Sequence, residues 1–298
     1  MLSHDSSLTE PQMFAEGIVS TPDNEFGGVF TPDGKEFYFA RSVPRSYLYV
    51  ICVTRFENGR WSQPVIAPFS GRYRDFDAVI SPSGSKMFFI SDRPTERDGK
   101  PKKDYDIWLM EKIASGWGEP RHLDAPINTD AQEWFVSSTT DDTLYFASSR
   151  SADGISYIYR SKLINGKYSE PEKLPDTVNT GQYITEPYIA PDGRSLLFSS
   201  YGRKGGYGGY DIYISYLRNG TWTDAQNLGP KVNTATRDYS PRLTPDGKYL
   251  TFTSERNPIT QPLEKPITYD EMERHLHNVL NGEGNIYQIE LSAVTNPP

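Results

Sequence analysis

The chain is poor in the residues that build covalent or metal-held sites: 298 residues carry one cysteine, Cys52, and four histidines. A single thiol excludes an intramolecular disulfide, and its place in the apolar, alternating stretch 47–54 reads as a half-buried thiol in a strand. His4, His122, His275 and His277 do not cluster at ligand spacing, so neither a metal nor another cofactor is expected. No apolar run approaches the ~20 residues that cross a bilayer, which argues against membrane insertion. Positive charge is in deficit, with 31 Lys and Arg against 39 Asp and Glu. A net charge of -8 repels phosphate backbones and disfavours nucleic acid as a partner. There is no Gly-x-Ser-x-Gly and no α/β-hydrolase pattern after the repeats, so a propeller-capped serine peptidase is not expected. Residues 1–10 are polar, lack the basic-then-apolar layout of a signal peptide, and read as a flexible tail.

What the chain has instead is a repeat. Its 24 Gly and 23 Pro recur at intervals, as turns do in a β-rich chain. Thr31-Pro32-Asp33-Gly34, Ser81-Pro82-Ser83-Gly84, Ala190-Pro191-Asp192-Gly193 and Thr244-Pro245-Asp246-Gly247 each separate two hydrophobic stretches, and Thr139-Thr140-Asp141-Asp142 fills the gap as a degraded copy. Pro sets φ at the first corner of a tight turn, while Asp-Gly supplies side-chain capping and positive φ. An alternating strand follows each turn and ends in Phe39, Phe89, Phe146, Phe198 or Phe252. A second hairpin comes next, its first strand reading Asp106-Ile-Trp108, Tyr157-Ile-Tyr159, Asp211-Ile-Tyr213 or Asn285-Ile-Tyr287, with Tyr47-Leu-Tyr49 as the diverged first copy. Asn58-Gly59, Asn165-Gly166 and Asn219-Gly220 mark its turns, and Ser115-Gly116 stands in the second copy. Pro64, Pro120 and Pro171 then confine the fourth strand to an edge.

Five copies of about 50 residues fit the chain, which implies a five-bladed β-propeller of four-stranded antiparallel blades. The fifth copy lacks its last strand. Residues 11–21 precede the first turn as fourth strands precede the others, so the N-terminal strand should complete the last blade and leave no open edge. The domain would then span 11–298. An insertion at about 257–284 carries the capping box Thr268-Tyr-Asp-Glu271 and helical spacing of Met272, Leu276, Val279 and Leu280, a short helix lying on one face.

These residues resemble the WD-like repeats of TolB-type propellers and are similar to the propeller part of OmpA-associated envelope proteins. The fullest match runs from Phe198-Ser199-Ser200 through Gly205-Gly206-Tyr207-Gly208-Gly209-Tyr210-Asp211-Ile212-Tyr213. The resemblance covers roughly residues 14–291. It implies the propeller fold and a periplasmic or envelope location. The chain itself is read as a monomeric, non-catalytic scaffold that binds a protein, peptide or glycan.

Register supplies candidate site residues. Ahead of each turn the innermost strand carries acids (Glu25, Asp75 with Asp77, Glu133, Glu186, Asp238), and arginines follow the next strand (Arg41, Arg93, Arg150, Arg203, Arg256). Both sets should ring one mouth of the channel. One interpretation is a brace, with Arg93 paired to Asp106 and Arg203 to Asp211. The other is a ligand site. Arg41, Arg150 and Arg256, which face Ser46, Ser156 and Asn285 in place of Asp, would be the free donors, and Tyr207 would stack on sugar or peptide. The competing enzymatic interpretation is a glycoside hydrolase-like enzyme using Asp77, Glu133 and Glu186, since such chemistry needs carboxylates roughly 5–9.5 Å apart.

Overall fold

The computed structural model describes residues 7–96 and 99–295. Residues 1–6, which include His4 and most of the expected tail, lie outside the described residues. Five antiparallel four-stranded blades form a five-bladed β-propeller. In each blade, strands a, b and c are consecutive and a short outer strand d pairs with c. Blade 1 has strands a (Asn24–Phe30), b (Glu36–Ser42) and c (Tyr49–Glu57), with d split into Arg60–Trp61 and Val65–Ile66. The split falls where Pro64 stands. Proline has no N–H to give the ladder, and this edge tolerates the gap.

The turns form for the reasons their residues suggest. Thr31 Oγ1 donates to Asp33 at 2.6 Å and Gly34 N donates to the Thr31 carbonyl at 2.8 Å; Thr244, Asp246 and Gly247 repeat both distances. Gly34, Gly84, Gly193 and Gly247 hold φ between 68° and 71°, and in the degraded third copy Asp142 takes φ 61° instead. The five strand-b phenylalanines pack between blades with relative exposures of 1% or less. Burying five such rings contributes on the order of 2–3 kcal/mol each.

The N-terminal segment closes the ring. Gln12–Met13 pairs antiparallel with Asn285–Glu290, with Met13 opposite Tyr287. Phe14 then enters the seam between blades 5 and 1, its ring centroid 4.5 Å from that of Phe37 and 5.3 Å from that of Phe30. Leu8 is buried and its carbonyl accepts Glu290 N at 2.9 Å. Asn128, Asn179 and Asn233 serve a repeated purpose. Each accepts the strand-c amide N–H of Ile107, Ile158 or Ile212 and donates back to the same residue's carbonyl. Ser20 does the same for Ile286, so the N-terminal segment reproduces a complete blade ending.

The first copy of strand c is three residues later than its sequence pattern suggests. Arg41 lies opposite Val50 and Ala40 opposite Ile51, which makes Val50-Ile51-Cys52 the counterpart of Asp106-Ile107-Trp108. Tyr47 and Leu48 belong to the preceding exposed loop. The helix is Tyr269–Leu276 with both capping-box bonds from Thr268 and Glu271 present. It is shorter than its spacing suggests, because Val279 and Leu280 fall beyond it, and none of its residues is buried.

Candidate ligand-binding site

Every strand a contains a β-bulge at the same place. The pairing slips after Phe26, Phe76, Trp134, Thr185 and Tyr239, and the next residue in each case has positive φ: Gly27 64°, Asp77 49°, Phe135 51°, Glu186 54° and Ser240 51°. The bulge turns these five residues toward the axis. The acids expected as one ring therefore occupy two. Glu25, Asp75, Glu133 and Asp238 stand two residues before the bulge, where blade 4 has Ile184. Asp77 and Glu186 stand on the bulge itself.

The first ring is a set of braces. Asp75 is paired with Arg93 at 2.7 Å, Glu133 with Arg150 at 3.2 Å, Asp238 with Arg256 at 3.6 Å and Glu25 with Arg41 at 2.8 Å. Arg93, Arg150 and Arg256 also donate from Nε to Ser91, Ser148 and Ser254, and those hydroxyls donate to the same acids. Each guanidinium reaches a carbonyl of the connection entering its blade (Phe69, Ile127 or Val232) and lies over the rings of strands b and c. Burial pushes the Glu25, Asp75 and Asp238 carboxyls up from their ordinary values, against the hydrogen bonds and arginines that pull them down.

This corrects the expected pairings. Arg41, Arg150 and Arg256 are not free donors, because their partners come from strand a and not from strand c. Tyr157, not Ser156, occupies the strand-c position opposite Ser148. Arg93 does not take Asp106, which instead receives Lys102 and His122. Arg203 does not take Asp211 but donates to the carbonyls of Val178 and Thr177, each at 2.9 Å, since blade 4 has no first-ring acid. Asp211 accepts the Tyr207 amide at 2.6 Å, and the Tyr207 ring stands exposed, away from the mouth cavities.

The second ring faces space. A cavity of about 280 Å³ at the channel mouth is lined by Asp77, Glu186, Glu255, Glu283, Arg237 and the rings of Phe26, Tyr49, Phe76, Phe135 and Tyr239. Beside it, a cavity of about 190 Å³ is walled by Trp134, Phe135, Tyr183, Tyr210 and Tyr239. Glu186 and Arg237 belong to both. Glu186 accepts Ser240 N at 2.8 Å and Ser240 Oγ at 2.9 Å, which fixes it across the boundary with blade 5. Arg237 lies over Tyr210 and Tyr239 and pairs with Glu255 at 3.0 Å.

Asp77 is fully buried, and neither of its oxygens has a hydrogen-bond partner among the described residues. Burial, with the nearby Glu186 charge, pushes its carboxyl well above the ordinary range, and Arg242 opposes this only in part. Arg242, deeper in the channel, is itself buried, with its Nη1 donating to the Pro241 carbonyl at 2.8 Å.

Sequence reasoning passed over the aromatic wall and both Arg237 and Arg242. A usable signal was present: Glu25-Phe26, Asp75-Phe76, Glu133-Trp134 and Asp238-Tyr239 each set an aromatic directly after a brace acid. Thr21, Thr129 and Thr234, four residues before Glu25, Glu133 and Asp238, bond those acids and mark them as structural. A larger groove of about 900 Å³ lies between blades 1 and 2, bordered by Tyr38, Phe56, Tyr73 and Trp117. Some of its polar groups are engaged with one another: Arg55 pairs with Glu36 at 2.9 Å, and Trp117 Nε1 donates to Tyr38 at 3.1 Å.

Fold and site together define a five-bladed β-propeller with an acidic, aromatic-walled channel mouth. No protein-family model matches the chain, and a search of curated proteins finds no match. Among solved structures it is similar to the α-L-arabinofuranosidase from Lactobacillus brevis, with 15% identity over 93% of both chains and a TM-score of 0.56. A glycoside hydrolase matches with 10% identity over 98% of this chain and 95% of its own, also at 0.56. TolB from Acinetobacter baumannii matches at 16% identity over 77% of this chain, with a TM-score of 0.49. The chain spans about half of that TolB chain, the match covering 48% of it. At these identities the likeness is one of fold alone.

Proposed function

We propose that the protein is a glycan-binding β-propeller whose ligand sits in the channel mouth over Asp77 and Glu186. The observation that carries this reading is the convergence of Trp134, Phe135, Tyr183, Tyr210 and Tyr239 around Glu186. Aromatic faces pack against the C–H faces of sugar rings, while carboxylates accept their hydroxyl hydrogens. Few polar groups set in an apolar wall are the usual make-up of a small-ligand site. A glycan array followed by titration calorimetry tests this. Trp134→Ala should weaken the best ligand at least about tenfold, ~1.4 kcal/mol, with the fold intact by circular dichroism. The TolB resemblance implies a protein or peptide partner at the cell envelope, a competing occupant of the same mouth. Peptide binding without glycan binding would overturn the glycan reading.

A second reading, glycoside hydrolysis, is favoured by one feature. Asp77 and Glu186 share a cavity but sit in different environments, the first buried without partners, its carboxyl pushed well above the ordinary range by burial, the second held by Ser240. That asymmetry suits an acid and a second carboxylate. Glu133, tied to Arg150, drops out of the expected set. Two of the similar structures are glycoside-cleaving enzymes by name, which makes reducing-sugar release the natural assay. Turnover abolished by Asp77→Asn with binding retained would support hydrolysis; binding without turnover would remove it.

A further inference from the structure

We propose that the mouth selects a glycan bearing a free amine, an amino sugar whose ammonium is received by Asp77 and Glu186; this rests on the glycan-binding reading and names its ligand class. Asp77 lines the mouth cavity, yet it has no hydrogen-bond partner or ion pair among the described residues. Its place is built. A Cβ on Gly27, the bulge residue of the neighbouring blade, would collide with Asp77 Oδ1, so the glycine leaves room for the carboxylate. Leaving two acceptors unmet in a desolvated site is costly unless a ligand supplies donors. A hydroxyl offers one donor. An ammonium offers three, with a charge that strengthens each bond where water is excluded.

The surroundings favour the same sign. Asp77, Glu186, Glu255 and Glu283 border the cavity, against Arg237, which is spent on Glu255, and Arg242 below. Arg242 gives one hydrogen bond to Pro241, while its Nε and Nη2 bond nothing among the described residues, so it acts on Asp77 through its field and not by contact. The rings of Trp134 and Tyr183 line the adjoining cavity, and aromatic rings attract a cation as well as a sugar. Uronic-acid glycans would meet this mouth unfavourably.

The test is calorimetric binding of glucosamine tetramer, N-acetylglucosamine tetramer and galacturonic acid oligomer to the full chain near neutral pH. The glucosamine form should bind at least about tenfold tighter than its acetylated counterpart, and the uronic oligomer weakest. Asp77→Asn, similar in shape, should remove that preference. Glu186→Gln should reduce it and serves as the second reading should the first variant fold poorly. Equal or tighter binding of the acetylated oligomer overturns the amine inference and leaves the glycan reading standing. No binding of any glycan, or capture of a lysine peptide in place of sugar, overturns both.

Discussion

Arg93 and Arg203 both follow the end of a strand b, yet only Arg93 has an acid as its partner. Arg93 is 8% exposed and its partner Asp75 has none of its surface exposed, so removing the arginine would strand a buried carboxylate. Blade 4 has Ile184 where an acid would stand, and Arg203 bonds carbonyls alone. Arg93→Ala should therefore cost about 3–5 kcal/mol in urea denaturation, and Arg203→Ala about 1–2 kcal/mol. Equal losses would mean that the acid contributes nothing to the brace. The same comparison explains why these charges misled a linear reading: a recurring acid and a recurring arginine are visible in the repeat, but the strand that supplies the partner is not.

Among elements, the two-residue N-terminal strand does more than its length suggests. Its backbone pairs with blade 5, and Phe14 directly after it is 3% exposed among Phe30, Phe37 and Trp61 of blade 1. The seam thus depends on packing as much as on hydrogen bonds. Phe14→Ala should lower stability by about 3–5 kcal/mol, while a truncation to an exposed d-strand residue such as Ile66→Ala should change it little. Chemical denaturation of both variants checks this, and a loss under about 1 kcal/mol at Phe14 would mean the strand is an accessory and not a closure. This closure was legible from the repeat count, because one copy lacked a strand that the other end of the chain could supply. The slip in blade 1 was not legible. Tyr47-Leu-Tyr49 matches the motif better than Val50-Ile51-Cys52, but only the latter lies opposite Ala40 and Arg41 in the ladder.

At the scale of the whole molecule, five bulges crowd their residues around one axis, and the crowding desolvates Asp77. With its folded pKa above the unfolded value, its favourable contribution is full at low pH and is lost as pH rises from the ordinary carboxylate range through the raised folded value. Glu186 and Arg242 are the charged groups that act on it there. Asp77→Asn, which never ionises, should gain on the wild type in thermal midpoint, by a few degrees, as pH is raised above the ordinary carboxylate range. A constant gap over that rise would show that Asp77 titrates normally.

Turn chemistry, strand alternation and the count of copies are local or periodic, so the sequence alone determines the propeller, its number of blades and the strand that closes it. Whether a given acid faces an arginine or empty space depends on a one-residue bulge and on neighbours from other blades. No local pattern encodes that angle. Asp75 and Asp77 are two residues apart and chemically identical, but the bulge sends the first into a brace and turns the second, unpartnered, into the mouth.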